Sequence, residues 1–143
     1  MTEPAITPDL IARLSRKAPP MILRAESDLR RLALGRAHRY GLPGLLGRFL
    51  PRGTAYLNTG HSNLTGAMLT RVKLGTGGPV WVFIHDTIPL DFPQFQRPGT
   101  PEKFRTLLEQ VNRHADGVIY NSDVTRRDAE RWMGAMGRVP PGV

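Results

Sequence analysis

Two apolar segments of the chain are each followed directly by a cluster of polar residues. Residues 80–84 read Val-Trp-Val-Phe-Ile, and residues 117–120 read Gly-Val-Ile-Tyr. Strands without alternating polar positions are typical of a parallel sheet that is covered on both faces. Ligands bind beyond the carboxyl ends of the strands in such sheets. The polar residues at those ends are therefore candidates for a functional site, and they are His85, Asp86, Asn121 and Ser122.

A strand and a helix are predicted upstream of the first of these segments. Residues 54–57 predict a short strand. Apolar residues every four positions in residues 64–72 then predict a helix capped by Ser62 or Asn63. Residues 75–79 are rich in glycine and end in proline, so they predict the turn into the next strand.

Two further helices are predicted in the second half of the chain. Residues 100–102 read Thr-Pro-Glu, which predicts a helix start with Thr100 as the cap. Apolar residues then recur at i, i+3, i+4 and i+7 between 104 and 111. Ser122 predicts the cap of a last helix that ends near Gly134. The alternation of strands and helices predicts an α/β fold: a Rossmann-like three-layer domain with a mostly parallel sheet.

The first 52 residues are predicted to form a basic, helical N-terminal region, and residues 53–143 the Rossmann-like domain. Residues 7–9 read Thr-Pro-Asp and predict a helix start, and two prolines at 19–20 predict its end. Residues 21–37 mix leucine and arginine at roughly helical spacing. Such short amphipathic helices either pack against the sheet or lie on a membrane surface, and packing is the favoured interpretation.

Bulk composition excludes several classes of protein. A chain of 143 residues is long enough for one domain with a real core. The absence of cysteine excludes disulfides, zinc–thiolate sites and thiol catalysis, and it fits a reducing cytoplasm. No apolar run approaches the ~18 residues needed to span a bilayer, and the N-terminus lacks the apolar segment of a signal peptide.

The positive charge of the chain is concentrated near its N-terminus. The formal net charge is +8, and residues 1–52 hold nine arginines and one lysine against four acids, which leaves six of the excess charges there. A basic surface attracts nucleic acid, anionic lipid headgroups or phosphorylated substrates, although a solvated Arg-rich surface explains the charge as well. No nucleic-acid-binding motif accompanies the charge, so no nucleic-acid partner is predicted. An anionic membrane surface remains a possible partner.

The polar clusters carry a resemblance to a known family. The segment His85-Asp86-Thr87-Ile88-Pro89, followed later by Ala-Asp-Gly-Val-Ile-Tyr-Asn-Ser-Asp-Val-Thr at 115–125, resembles the N-terminal domain of family 4 glycosyltransferases of the GT-B fold. In that family the two segments read His-Asp-x-x-Pro and Ala-Asp-x-Val-Ile-x-x-Ser-x-x-Thr. The resemblance covers residues 54–135, and the loop at 58–62 is similar to an upstream loop of bacterial members.

The resemblance implies an activity and a division of labour. Such enzymes move a sugar from a nucleotide sugar to an acceptor, usually with retention of configuration. They need no metal when cationic side chains and helix N-termini supply the positive charge. The N-terminal domain mainly binds the acceptor, here a glycan or a lipid-linked sugar of bacterial polysaccharide biosynthesis. The C-terminal domain holds the nucleotide sugar and usually supplies an acidic Glu-x7-Glu motif.

Two departures from the family pattern shape the expectation for this chain. The sequence ends at Val143, near the point where the nucleotide-sugar domain should begin, and its start lacks a first strand followed by a glycine-rich loop. We therefore expect a fragment or an isolated half that transfers little sugar alone, with the C-terminal nucleotide-sugar domain as its partner. No cofactor besides the donor is expected. The expected location is the cytoplasm, with a possible peripheral position at the inner face of the membrane.

His85 and Asp86 are the predicted catalytic residues. The resemblance places His85 in the interdomain cleft near the sugar hydroxyls or the reacting centre. The alternative is a loop histidine that bonds to the backbone. Asp86 either orients the imidazole of His85, contacts the acceptor, or caps the loop that follows, and capping is equally well supported.

The predicted substrate-binding residues are Gly60, His61, Asn121, Ser122 and Thr125. Gly60 permits a phosphate to approach the backbone, although an ordinary turn is slightly favoured there. Capping alone explains Ser122, and a cap at the cleft is compatible with both roles. No metal ligand is predicted.

Two functions other than sugar transfer remain open. One is a non-catalytic module that binds a partner protein or an anionic surface through residues 1–52. The other is a small nucleotide-binding protein that uses the glycines in residues 75–78. The second ranks last, because that tract precedes a strand and no P-loop lysine follows it.

Overall fold

Three short parallel strands form the centre of the fold. The computed structural model describes residues 33–61 and 63–143. Strands β1 (Tyr56–Asn58), β2 (Val80–Ile84) and β3 (Gly117–Tyr120) lie side by side in that order. Both neighbouring pairs run parallel, and Ile84 at the end of β2 is opposite Tyr120 at the end of β3. The two polar clusters therefore leave the sheet at the same edge.

Helices alternate with these strands, so the predicted α/β fold with a Rossmann-like parallel sheet is confirmed. The α-helices of the described residues are α1 (Leu42–Phe49), α2 (Gly66–Thr76), α3 (Ile88–Asp91), α4 (Thr100–His114) and α5 (Asp123–Gly134). A 3-10 turn at Pro93–Phe95 follows α3.

The core lies between the central strands and the two long C-terminal helices. The side chains of Val82 and Val118 are fully buried in one cluster with Leu108 of α4 and Met133 of α5. Burial of each such side chain contributes roughly 1.5–3 kcal/mol of stability. On the other face of β2, Trp81 and Phe83 are only half-buried. The sequence predicted a sheet buried on both faces, but within the described residues β2 is fully buried on one face alone.

Helices α1 and α2 pack closely because glycines lie at their contact. A Cβ atom at Gly75 of α2 would lie 2.8 Å from Pro43 Cα and 2.9 Å from Leu46 Cβ of α1. A Cβ atom at Gly47 of α1 would lie 3.3 Å from the Gly75 carbonyl oxygen. Small residues therefore permit the two backbones to touch, and α1 belongs to the same packed unit as the sheet.

Two predicted helix caps are wrong, and one is confirmed. The cap of α2 is Thr65, whose Oγ1 accepts the Met68 N–H at 3.2 Å, whereas Asn63 lies upstream with φ of 56°. Ser62 lies outside the described residues. Helix α4 begins at Thr100 itself, because Gly99 takes the capping position in the left-handed conformation with φ of 79°.

Ser122 caps α5 as predicted, since its Oγ accepts the Thr125 N–H at 3.1 Å. The helix also ends at Gly134, the predicted end.

Asp116 lies directly before β3 and connects it to the amino end of β2. Its carboxylate accepts the Val80 N–H at 2.9 Å and pairs with Lys73 of α2. Burial opposes ionisation of this carboxyl, but the hydrogen bonds from Lys73 and Val80 outweigh it and lower the pKa of Asp116 below its ordinary value. Asp116, directly before β3, thus links the start of β2 to α2.

The C-terminal residues lie along the outer edge of β3. Val118 N–H donates to Pro141 O at 2.9 Å, and Tyr120 N–H donates to Val143 O at 3.0 Å. Gly142 forms a parallel bridge with Val118. These residues therefore extend the parallel ladder on the side of β3 opposite to β2.

Most of the predicted N-terminal region, residues 1–32, lies outside the described residues, and its helices stay predictions. Within the described ranges, no helix is long and apolar enough to cross a bilayer.

Candidate functional site

The site lies at the carboxyl edge of the sheet, where the chain leaves β1, β2 and β3. His85 follows β2 and Asn121 follows β3, at neighbouring positions of the ladder. The Thr125 hydroxyl of α5 donates to the His85 backbone carbonyl at 3.4 Å. The edge thus brings together predicted site residues that are far apart in sequence, and we call it the strand-end rim (residues 59–61, 85–86 and 121–125).

His85 is exposed and is held by the backbone of the neighbouring strand. Its Nε2 donates to the Thr59 carbonyl oxygen at 2.7 Å, and its ring centroid lies 4.6 Å from that of Phe83. A carbonyl only accepts, so Nε2 carries the proton and Nδ1 of the neutral ring is an acceptor. The backbone bond foreseen as the alternative for His85 is present, and it leaves one ring nitrogen for a hydroxyl donor.

His61 mirrors this arrangement from the other strand. Its Nε2 donates to the Phe83 carbonyl oxygen at 2.9 Å, and its own N–H donates to Asn58 Oδ1 at 3.0 Å. The residue lies in the left-handed region with φ of 56°. The rings of His61 and His85 meet edge to face at 5.3 Å. The two histidines therefore cross-link the ends of β1 and β2, since each ring bonds a backbone carbonyl two residues before the other histidine.

Gly60 lies between the two histidine bonds on an open part of the rim. A Cβ atom at this position would meet nothing within 4 Å. The space that the prediction required for an approaching ligand is therefore present, while the fold itself does not require glycine there.

Asp86 caps the turn that leads into the short helix α3, whose N-cap position is taken by Thr87. Its Oδ1 accepts the Ile88 N–H at 3.1 Å. This bond, to the backbone two residues later, is that of an Asx-turn. The imidazole of His85 takes its support from Thr59 rather than from Asp86. Of the three roles considered for Asp86, the structure contains the capping role.

Asp91 anchors the loop between β2 and α4, and the sequence analysis missed it. Its carboxylate accepts hydrogen bonds from the Thr87 hydroxyl at 2.5 Å, from Arg131 at 2.6 Å and from the Trp132 indole at 3.0 Å. Burial opposes its ionisation, but these three bonds outweigh burial and lower the pKa of Asp91. The loop that begins with Asp86 is therefore fixed to α5.

Ser122 and Thr125 form a relay of hydroxyls that ends at His85. The Ser122 hydroxyl donates to Thr125 Oγ1 at 3.1 Å, and Thr125 donates onward to the His85 carbonyl. Ser122 is exposed, whereas Thr125 is buried. Ser122 is thus accessible from solvent, whereas the buried Thr125 hydroxyl bonds the backbone of His85. The substrate-binding roles of Ser122 and Thr125 stay predictions.

A shallow cavity of about 250 Å³ opens where β3 meets α5. Arg126 lies in its wall and pairs with Asp123 at 3.1 Å. Burial, with Glu130 nearby, raises the pKa of Tyr120 to about 12, so its phenol stays protonated. Amide, hydroxyl and guanidinium groups that bind sugar hydroxyls and phosphates line this cavity. The lining residues are Tyr120, Asn121, Ser122, Asp123, Arg126 and Val143.

Nothing in the part of the chain that the structure describes groups three or more metal-ligating side chains. The rim is instead an exposed surface with one imidazole acceptor, an amide and a hydroxyl. Such groups bind a neutral polyol by directional hydrogen bonds.

Comparison with known families agrees with this chemistry. The family model described as glycosyl transferase 4-like domain matches residues 6–142, which is nearly the whole chain. No curated protein and no solved structure matches the sequence.

Proposed function

This chain belongs to the glycosyl transferase 4-like family, and we propose that it is the acceptor-side part of a retaining glycosyltransferase. It moves a sugar from a nucleotide sugar to a glycan or a lipid-linked acceptor. The observation that carries the proposal is the meeting of His85, Asn121 and Ser122 at the strand-end rim, where α/β sheets bind ligands.

The residues of the rim have distinct roles in this proposal. Nδ1 of His85 accepts a hydrogen bond from a sugar hydroxyl and orients it toward the reacting carbon. Asn121 and Ser122 bind further hydroxyls. His61 keeps the end of β1 against β2, so that the imidazole of His85 is already oriented before the ligand arrives.

The negative charge of the departing nucleotide has to be stabilised in any such transfer. Arg126 is the cationic residue that lines the cavity beside Ser122, but it is already paired with Asp123. We therefore assign the nucleotide sugar to a second domain that faces the rim, as a further part of the same polypeptide or as a separate chain. No metal takes part in the proposed reaction.

The test compares two histidine variants of the full chain, His85→Ala and His38→Ala. Nucleotide release is measured with a panel of nucleotide sugars and of glycan and polyprenyl-linked acceptors, with and without an added nucleotide-sugar domain. We expect His85→Ala to lower the transfer rate at least about 100-fold, because general acid–base and orienting histidines contribute on this scale. His38, outside the rim, is the matched control and should stay within about twofold.

Equal rates for the two variants would exclude the role given to His85. The division of labour is tested separately by a thermal-shift screen. We expect acceptor sugars, but not nucleotide sugars, to stabilise the full chain in the absence of a second domain. Stabilisation by a nucleotide sugar alone would place the donor site within this chain and contradict the proposal. The genomic sequence that follows the Val143 codon should encode, there or in an adjacent frame, a Rossmann domain with a Glu-x7-Glu motif.

A further inference from the structure

The region around α1 and α2 is basic over a long stretch of sequence. From residue 29 to residue 85 the chain contains no aspartate or glutamate, although eight of these residues are arginine or lysine. Lys73 pairs with Asp116 across the fold. Four further arginines belong to α1, α2 and the loops beside α1: Arg39, Arg48, Arg52 and Arg71. Within the described residues, none of these four pairs with a carboxylate.

Three of these arginines lie over exposed aromatic rings instead. The guanidinium carbons of Arg39 and Arg71 lie 4.8 and 5.2 Å from the centroid of the Tyr40 ring. That of Arg48 lies 5.5 Å from the centroid of the Phe49 ring. Stacking on an aromatic face leaves the charge of arginine uncompensated, so it stays available to an anion.

Apolar side chains are exposed beside these arginines. Tyr40 is 71% exposed, Leu74 72% and Phe49 43%. Leu74 lies three residues after Arg71 on α2, and residues at this spacing share one side of a helix. Leu50, Arg52 and Leu74 also line one shallow cavity of about 210 Å³. We call this surface the α1–α2 surface: Arg39, Tyr40, Arg48, Phe49, Leu50, Arg52, Arg71 and Leu74.

We propose that the α1–α2 surface binds an anionic lipid bilayer. Arginine binds the headgroup phosphates, while tyrosine, phenylalanine and leucine enter the boundary between headgroups and acyl chains. A bilayer presents one sign of charge over a wide plane, which matches a surface without a single carboxylate.

The proposal differs from binding through residues 1–52 as a basic segment. It assigns the contact to side chains of α1, α2 and the loops beside α1, and α2 lies wholly beyond residue 52. It is also independent of sugar transfer, because the α1–α2 surface contains no residue of the strand-end rim. The variant His85→Ala is therefore expected to bind vesicles as the unchanged chain does, whatever its effect on transfer.

The test measures co-sedimentation of the full chain with vesicles of phosphatidylcholine and with vesicles in which roughly a third of it is replaced by phosphatidylglycerol. We expect at least about tenfold tighter binding to the anionic vesicles, weakening as salt rises toward about 0.5 M. Retention of the chain on heparin or duplex DNA, without binding to anionic vesicles, would overturn the proposal in favour of another polyanion.

Matched charge reversals locate the contact. Arg48→Glu with Arg52→Glu should weaken binding to anionic vesicles at least about tenfold. Arg97→Glu with Arg127→Glu changes the net charge equally on another part of the surface and should weaken it no more than about threefold. An equal loss in both double variants would show that net charge alone attracts the chain, and would overturn the proposal.

A further double variant, Arg13→Glu with Arg16→Glu, examines the N-terminal residues. Loss of binding in this variant, with binding retained in Arg48→Glu/Arg52→Glu, would assign the contact to the first 32 residues and overturn the proposal. We expect the opposite result.

The apolar part of the surface is tested with single substitutions that leave the charge unchanged. Leu74→Gln should weaken vesicle binding about fivefold, because its exposed side chain no longer enters the bilayer. Phe95→Gln alters a side chain that is 79% exposed elsewhere and should have no effect. If both variants bind like the unchanged chain, the apolar contact is absent and the proposal fails. Circular dichroism melting curves check that each variant folds. If a charge-reversal variant does not fold, Leu74→Gln still tests the proposal.

Discussion

The two ends of the parallel sheet use polar groups in different ways. At the amino ends of β2 and β3, the Asp116 carboxylate bonds to a buried backbone N–H and to a lysine, and Gly78 packs directly on another backbone segment. At the carboxyl ends, His85, Asn121 and Ser122 are exposed, and only part of their hydrogen-bonding capacity is taken up by the fold. The amino end is therefore held by a partly buried hydrogen bond, whereas the carboxyl end leaves its polar side chains exposed.

Hydrogen bonds of the two histidines hold the exposed carboxyl ends of β1 and β2 together. His85 and His61 each use Nε2 to bond a carbonyl of the other strand's segment, which leaves Nδ1 of His85 for a ligand. Thr125 adds a hydroxyl bond to the backbone of His85. The order of this edge therefore depends on hydrogen bonds between segments that are distant in sequence.

The largest difference between the two ends is expected for glycine substitutions. In Gly78→Ala the new Cβ would lie 2.3 Å from the Thr54 carbonyl oxygen and 2.6 Å from the Gly53 backbone, which has little room to move. We expect a loss of about 3 kcal/mol or more in the free energy of unfolding. Gly60→Ala at the rim meets nothing within 4 Å and should change it by less than about 0.5 kcal/mol. Urea unfolding followed by circular dichroism measures both values, and similar losses would contradict the comparison.

The next effect concerns the carboxylates at the two ends. Asp116→Ala leaves the buried Val80 N–H without its acceptor and removes the partner of Lys73. We expect a loss of about 2 kcal/mol in unfolding free energy. Asp86→Ala removes only a cap at the carboxyl end and should lose about 1 kcal/mol or less. A larger loss for Asp86 than for Asp116 in the same unfolding experiment would reverse the assignment.

The same carboxylate predicts a pH dependence. The pKa of Asp116 is lowered in the folded chain, so its contribution is complete above the ordinary value of 3.8 and is lost as the pH falls through the folded pKa. The melting temperature of the unchanged chain should therefore fall on acidification below about pH 4. Asp116→Asn should fall less steeply over that range, with the remaining slope due largely to Asp91. Parallel slopes for the two proteins would show that Asp116 does not contribute.

The smallest effect is expected for Thr125, and it separates positioning from stability. Thr125→Val removes the hydroxyl that bonds the His85 carbonyl and should lose about 1 kcal/mol of unfolding free energy. It should also shift the nitrogen NMR signals of the His85 ring, because the backbone carbonyl of His85 loses its hydrogen bond while the ring keeps its own bond to Thr59. Thr125→Ser keeps the hydroxyl and should restore these signals. If valine leaves the His85 signals unchanged, the relay has no part in positioning the imidazole.

Local patterns in the sequence were sufficient for most of the secondary structure. The strands β2 and β3 agree with the predicted limits because continuous apolar residues mark a buried strand wherever it lies. The Ser122 cap is also correct, since it depends on a bond to the residue three positions later. The caps of α2 and α4 were wrong because several polar or flexible residues stand side by side, and only the path of the chain selects Thr65 and Gly99.

The sequence by itself determined the order of the three strands and of helices α2, α4 and α5, the family, and the polar residues that follow the strands. The tertiary structure alone decided what each of these residues does. His61 and His85 reach carbonyls 22 and 26 residues away, Asp116 reaches a backbone N–H 36 residues away, and Thr125 reaches a carbonyl 40 residues away. Periodicity and capping are short-range effects of backbone geometry, whereas these bonds exist only once parallel pairing has brought distant segments within about 3 Å.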